Sequence, residues 1–210
     1  MRRFLVLLAV SLIGWCNPSH AAEPKAASTK TVLVLGDSLS AAHNIGANEG
    51  WVHLLEVRLG KMEPPWRVVN ASISGETTLS GRHHLPQLLA TYRPAVLVLE
   101  LGANDGLRGL PLDAMRDNLA AMIDMAQSAH AKVLLLGIEL PVNYGPRYRD
   151  GLRAVYAGLA RSKRTALVPF LLEGVAQDPS RMQDDGLHPT AAGEPAVFAT
   201  VWSQLAPLLR

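Results

Sequence analysis

Several things are scarce in this 210-residue chain. It has one cysteine, Cys16, and aromatic residues make up only 5% of it. A single thiol cannot form an internal disulfide, so a disulfide scaffold is not available. Charge is also sparse: charged residues are 18% of the chain, with 20 Lys and Arg against 18 Asp and Glu. That balance leaves no electrostatic footprint for a polyanion. Glycine-rich dinucleotide and phosphate-loop motifs are missing, so no nucleotide cofactor is expected. Against these absences stands a hydrophobic content of 49%, enough for one sizeable core and incompatible with a disordered chain.

The small basic surplus belongs to the N-terminus. Arg2 and Arg3 precede the apolar or small stretch Phe4 to Cys16, which is followed by Asn17-Pro18-Ser19 and Ala21-Ala22. A positive region, an apolar region and small residues in sequence make a secretory signal, with cleavage expected after Ala21. Phe4 to Cys16 is shorter than the roughly 20 residues a spanning helix needs, so no stable membrane anchor is expected. Cys16 as a lipid attachment point is disfavoured by the bulky Trp15 before it. Loss of residues 1–21 removes two Arg and no acid, which makes the mature chain neutral and thiol-free. Residues 22–30 read as a flexible lead-in and 31–210 as the folded domain.

Within that domain, short runs rich in Val, Leu and Ile recur: Thr31 to Leu35, Val68 to Ile73, Ala95 to Leu101, Val133 to Ile138 and Ala166 to Phe170. They are apolar on both faces, as fully buried strands are. The intervening segments carry helical stripes: Trp51, Leu54, Leu55 and Leu59; Leu85, Leu88, Leu89 and Tyr92; Met115, Leu119, Met122 and Ala126; Tyr148, Leu152, Val155 and Leu159; and Val197, Val201, Leu205 and Leu208. Pro86, Pro111 and Pro146 are each placed near the start of a helix. Five alternations of strand and helix predict an α/β fold, a three-layer αβα sandwich around a five-stranded parallel sheet. In such folds the site lies in the loops beyond the carboxyl ends of the strands.

Four of those loops carry chemistry. The first holds Gly36-Asp37-Ser38-Leu39-Ser40, where a Ser hydroxyl can stand at the sheet edge. The second holds Asn70-Ala71-Ser72-Ile73-Ser74-Gly75, and the third Gly102-Ala103-Asn104-Asp105-Gly106. The backbone N–H groups of Ser38 and Gly75 and the side-chain amide of Asn104 are three neutral donors of the kind an acyl-transfer oxyanion needs. Near the C-terminus, Asp185-Gly186-Leu187-His188-Pro189 offers an imidazole to activate Ser38 and a carboxylate to orient that imidazole. Taken singly, each motif is an ordinary turn; their order on successive sheet-end loops is what gives them weight. His83 and His84 read as a solvated helix start rather than a metal pair, and His43, His53 and His130 as surface or boundary residues. No metal site is expected.

With these four blocks the chain resembles the GDSL or SGNH hydrolase superfamily, whose blocks supply Ser, Gly, Asn and His, on a flavodoxin-like sheet. Within it, Asn104-Asp105-Gly106-Leu107-Arg108-Gly109, Asn143-Tyr144-Gly145-Pro146-Arg147-Tyr148 and Leu167-Val168-Pro169-Phe170 are similar to the bacterial exported esterases that act as acyl-CoA thioesterase, arylesterase and lysophospholipase. The resemblance implies Ser38 as nucleophile, His188 as base and then acid, and Asp185 as orienter. It implies an oxyanion hole of Ser38, Gly75 and Asn104, no cofactor, a small-molecule acyl ester or thioester substrate, a monomer, and a periplasmic location. It also suggests a loop from Leu107 to Pro111 that closes over the acyl chain, with Leu107, Leu110, Pro141 and Val142 as apolar groove residues. Two positions depart from the subgroup: Ala103 stands where Gly is usual, with the Asn104 loop expected to stiffen or shift, and Glu76 where Asp is usual. A carbohydrate O-acetylesterase with the same triad and a non-catalytic acyl-binding protein are the competing expectations.

Overall fold

A computed structural model describes residues 29–210; the expected signal, its cleavage site and all of the lead-in but its last two residues lie outside them. Five parallel strands, β1 (Thr31–Gly36), β2 (Arg67–Asn70), β3 (Val96–Glu100), β4 (Lys132–Leu136) and β5 (Ala166–Val168), form one sheet in the order β2-β1-β3-β4-β5. The helices are α1 (Trp51–Gly60), α2 (Thr78–Tyr92), the short α3 (Ala103–Leu107), α4 (Leu112–Ser128), α5 (Pro146–Lys163) and α6 (Glu194–Leu205). Helix α1 packs with α6, and α4 packs with both α2 and α5, so helices cover the sheet in two groups.

The central strands are built as their composition dictates. Every residue of β1 and β3 is buried, and Val32, Leu33, Val34, Leu35 and Val96 to Leu99 have no exposed surface. Such strands need cover on both faces, which the two helix groups supply. The edge strand β2 differs from the expectation of a fully buried strand: Arg67 and Asn70 are exposed and Val68 and Val69 only half-buried. It also ends at Asn70 rather than Ile73, although the Ala71 and Ile73 N–H groups still donate to the Val34 and Gly36 carbonyls of β1.

Helix faces shift slightly from the expected stripes. Val52 rather than Leu54 is buried on α1, and Tyr156 joins Leu152 and Leu159 on α5. Pro111 precedes α4 and Pro146 opens α5 as expected, but Pro86 lies in the interior of α2, which begins eight residues earlier at Thr78. The bond that Pro86 cannot make would run to the Arg82 carbonyl. Both residues are exposed, so water can serve that carbonyl and the helix continues.

The strand order reverses between β1 and β3: the chain goes outward from β1 to β2, then crosses back to β3 on the other side. That switch point opens a crevice at the carboxyl ends of β1 and β3. Ser38 follows β1 and Asn104 follows β3, so both border it.

Candidate active site

The segment after β1 is a run of tight turns. The N–H groups of Ser40 and Ala41 both donate to the Asp37 carbonyl, at 3.3 and 3.0 Å. A Cβ on Gly36 would stand 2.7 Å from both the Ser40 hydroxyl and Glu100 Oε2, so only glycine lets the chain pass this close to the end of β3. The turn leaves Ser38 half-buried beside the crevice.

Its hydroxyl lies 2.8 Å from His188 Nε2, and His188 Nδ1 lies 2.7 Å from Asp185 Oδ2. Asp185 Oδ1 accepts the N–H groups of Leu187 at 2.9 Å and His188 at 3.0 Å, so the carboxylate is oriented by the loop it belongs to. Partial burial pushes the Asp185 carboxyl up, but the Leu187 N–H, the His188 ring and the His188 N–H together outweigh it and hold it at about 2. An ionised carboxylate on Nδ1 keeps the ring proton there and leaves Nε2 free to accept from the hydroxyl, which is a general-base arrangement.

The other two blocks stand on the second and third loops, and Asn104 lines one cleft with Ser38 and His188. Gly75 has φ of +82° with open space around it, so it is the backbone angle that calls for glycine. Its loop is tied back to β1 by the Ile73 N–H donating to the Gly36 carbonyl at 3.0 Å. Asn104 Nδ2 donates to Asp37 Oδ2 and to the Glu76 carbonyl, both at 3.0 Å. Both hydrogens of that amide therefore already have partners. Ala103 starts α3 with an ordinary negative φ, the left-handed angle falling on Gly102 instead, so the departure from Gly costs no backbone strain.

Several contributors escaped the sequence reading. Asp37 is completely buried, with Oδ1 accepting from the Leu39 N–H at 3.0 Å. Burial pushes it up to about 6, against the pull of the Leu39 N–H and the nearby His188. Beneath it, Glu100 Oε2 accepts from the Asp37 N–H at 3.1 Å and the Ser40 hydroxyl at 2.8 Å. Full burial, then the neighbouring Asp37 charge, push Glu100 well above the usual carboxylate range. Asp105 grips the first residue of α2 through the Thr78 N–H and hydroxyl. His43, expected as a surface or boundary residue, is half-buried and faces the His188 ring with centroids 4.4 Å apart. An acid at the end of a buried strand was the available signal for Glu100; His43 had none, because its contact depends on where two distant loops meet.

The cleft beside Ser38, Asn104 and His188 is lined by Leu107, Ile138, Leu140, Pro141, Phe170 and Leu172. Leu107 and Pro141 are therefore where the groove was expected. Leu110 is outside this lining, and Val142, 79% exposed, borders the adjoining groove. Glu139 also borders the cleft and is held by Arg149 at 3.3 Å and Arg153 at 3.2 Å. Among the described residues no cluster of His, Cys, Asp and Glu could hold a metal ion.

Residues 34–195 match the model of the GDSL-like lipase/acylhydrolase family. The chain belongs to that family. Among GDSL-like acylhydrolases it is 51% identical to esterase TesA of Pseudomonas aeruginosa over 87% of this chain and 91% of that one. It is 40% identical to thioesterase 1/protease 1/lysophospholipase L1 of Escherichia coli strain K12 over 88% of each chain. A crystal structure of the psychrotrophic esterase EstA from Pseudoalteromonas, inhibited by monoethylphosphonate, superposes with a TM-score of 0.80 at 37% identity, covering 86% of this chain and 98% of that one. The acylhydrolase fold of these relatives and the five-stranded sheet described above are the same.

Proposed function

We propose that this acylhydrolase cleaves esters and thioesters of the aryl ester, acyl-CoA and lysophospholipid type through an acyl-enzyme on Ser38. The observation that carries the reading is the unbroken chain from the Ser38 hydroxyl through His188 to Asp185, at 2.8 and 2.7 Å. Ser38 Oγ attacks the acyl carbonyl while its proton passes to His188 Nε2. The tetrahedral oxyanion is received by the N–H groups of Ser38 and Gly75 and by the Asn104 amide. As the intermediate collapses, His188 returns the proton to the leaving alcohol or thiol. A water molecule then repeats the sequence and frees the acid. The apolar cleft of Leu107, Ile138, Leu140, Pro141 and Phe170 takes the acyl chain. The names of the relatives, esterase, thioesterase and lysophospholipase, support the same range of leaving groups.

Residues 1–21 act as a secretory signal cut after Ala21, delivering the enzyme to the periplasm as a monomer. Among the described residues no helix is long and apolar enough to cross a membrane. N-terminal sequencing of the protein recovered from a periplasmic extract tests the cleavage, and a start at Met1 there counts against it.

The decisive experiment is labelling by a fluorophosphonate together with turnover of p-nitrophenyl esters, acyl-CoA thioesters and lysophospholipids of graded chain length. Stoichiometric labelling that Ser38→Ala abolishes, with turnover, is expected. Absence of both would leave an acyl-binding protein, and a sharp optimum at acetyl would move the substrate to acetylated carbohydrates.

A further inference from the structure

The tip of the loop that carries Gly75 is open to solvent. Ile73, Ser74 and Gly75 are all exposed, and Arg108 from the third loop reaches the Gly75 carbonyl at 3.1 Å from the solvent side. The acidic side chain next to Gly75 is enclosed. The Glu76 side chain is 1% exposed, and its Oε1 meets His84 Nδ1 at 2.7 Å. Its other oxygen, Oε2, is buried with no partner among the described residues. His84 sits on the second turn of α2, half-exposed, so the imidazole joins solvent to a carboxylate that is otherwise enclosed.

We propose that His84 and Glu76 form a positioning pair that sets two of the three oxyanion donors. A buried carboxylate is costly unless it is paired, and His84 is the partner that keeps this one inside. Where the side chain is held, its backbone is held. The Glu76 carbonyl accepts from Asn104 Nδ2, and the Gly75 N–H lies one residue before it. Without His84 the carboxylate turns toward water, and the backbone around Glu76 moves with it, from the Gly75 N–H on one side to the Glu76 carbonyl on the other. Both the Gly75 donor and the orientation of the Asn104 amide are then lost to some degree. Neither residue touches the acyl chain, so the effect falls on the transition state rather than on substrate binding.

This inference rests on the reading of Ser38, Gly75 and Asn104 given above, and the test separates the two. Fluorophosphonate labelling and ester turnover of the unaltered protein check that reading first. In His84→Ala, kcat for a p-nitrophenyl ester is expected to fall by about tenfold, less than the hundred- to thousandfold loss that accompanies removal of a whole donor. KM is expected to stay within about twofold. Affinity for an alkyl boronic acid, whose Ser38 adduct presents a tetrahedral oxyanion, is expected to fall in parallel with kcat. His84→Gln, which keeps a donor in reach of Glu76, should recover most of the loss, whereas His84→Phe, which fills the space without a donor, should not. Normal labelling and turnover in the unaltered protein, combined with equal kcat and boronate affinity in the Gln and Phe variants, would overturn the pair while leaving the triad intact. That comparison holds even if the Ala variant fails to fold.

Discussion

Replacing Asp185 with Asn changes one atom at the edge of the site, and the structure dictates which way the new amide must face. Asp185 Oδ1 accepts two backbone N–H groups, from Leu187 and His188, while Oδ2 faces His188 Nδ1. The Asn carbonyl oxygen takes the place of Oδ1, because the alternative sets an NH₂ group against two N–H donors. With each backbone hydrogen bond worth about 1 kcal/mol net, the preference is about 2 kcal/mol or more, a factor of roughly thirty. The NH₂ then faces Nδ1, which must offer its lone pair, so the ring proton moves to Nε2 and points at Ser38. An imidazole in that tautomer cannot accept the serine proton, and loss of kcat by about ten-thousandfold is expected with the fold intact. Steady-state hydrolysis of a p-nitrophenyl ester measures the loss, and nitrogen NMR of labelled histidine reports the tautomer directly. An Asp185→Asn variant that keeps a tenth of the original kcat, or whose ring proton stays on Nδ1, would refute the reasoning.

Two further outcomes follow from the geometry. Asn104→Ala is expected to lower kcat by about a hundred- to a thousandfold with little change in KM, and a KM effect alone would remove the amide from the oxyanion hole. Glu194, at the start of α6, accepts the Trp51 N–H at 2.8 Å and is pushed by burial from 4.5 to about 7. Because the folded value lies above the unfolded one, its contribution is fully present below about 4.5 and is lost as pH rises through 7, by about 3 kcal/mol. Glu194→Gln should therefore flatten denaturant-measured stability across that window and raise it at pH 8; a parallel pH profile in the two proteins would contradict this.

The family and its sheet were legible in the chain because both are written locally. Buried parallel strands are continuous apolar runs, helices repeat at 3.6 residues, and each of the four blocks is a handful of neighbouring residues. The boundaries that went astray are those where tertiary context overrides a local signal. Val68 to Ile73 reads as a full buried strand, yet at the sheet edge it stops at Asn70, with two of its four residues exposed. Pro86 reads as a helix start, yet the grip of Asp105 on Thr78 fixes the start of α2 well before it.

What the sequence alone determined is therefore the set of chemical groups and the layers that carry them: Ser38, Gly75, Asn104, Asp185 and His188 at the ends of alternating elements. Only the tertiary structure decided how those groups are supported. Asp37 beneath Asn104 and Glu100 beneath Ser40 are pairings that the adjacency of β1 and β3 brings together, while His43 against His188 joins two loops far apart in the chain and His84 on Glu76 joins a loop to the helix after it. The reason is physical. A motif's residue types follow from the reaction it serves, but what those residues touch depends on which carboxyl ends the sheet sets side by side.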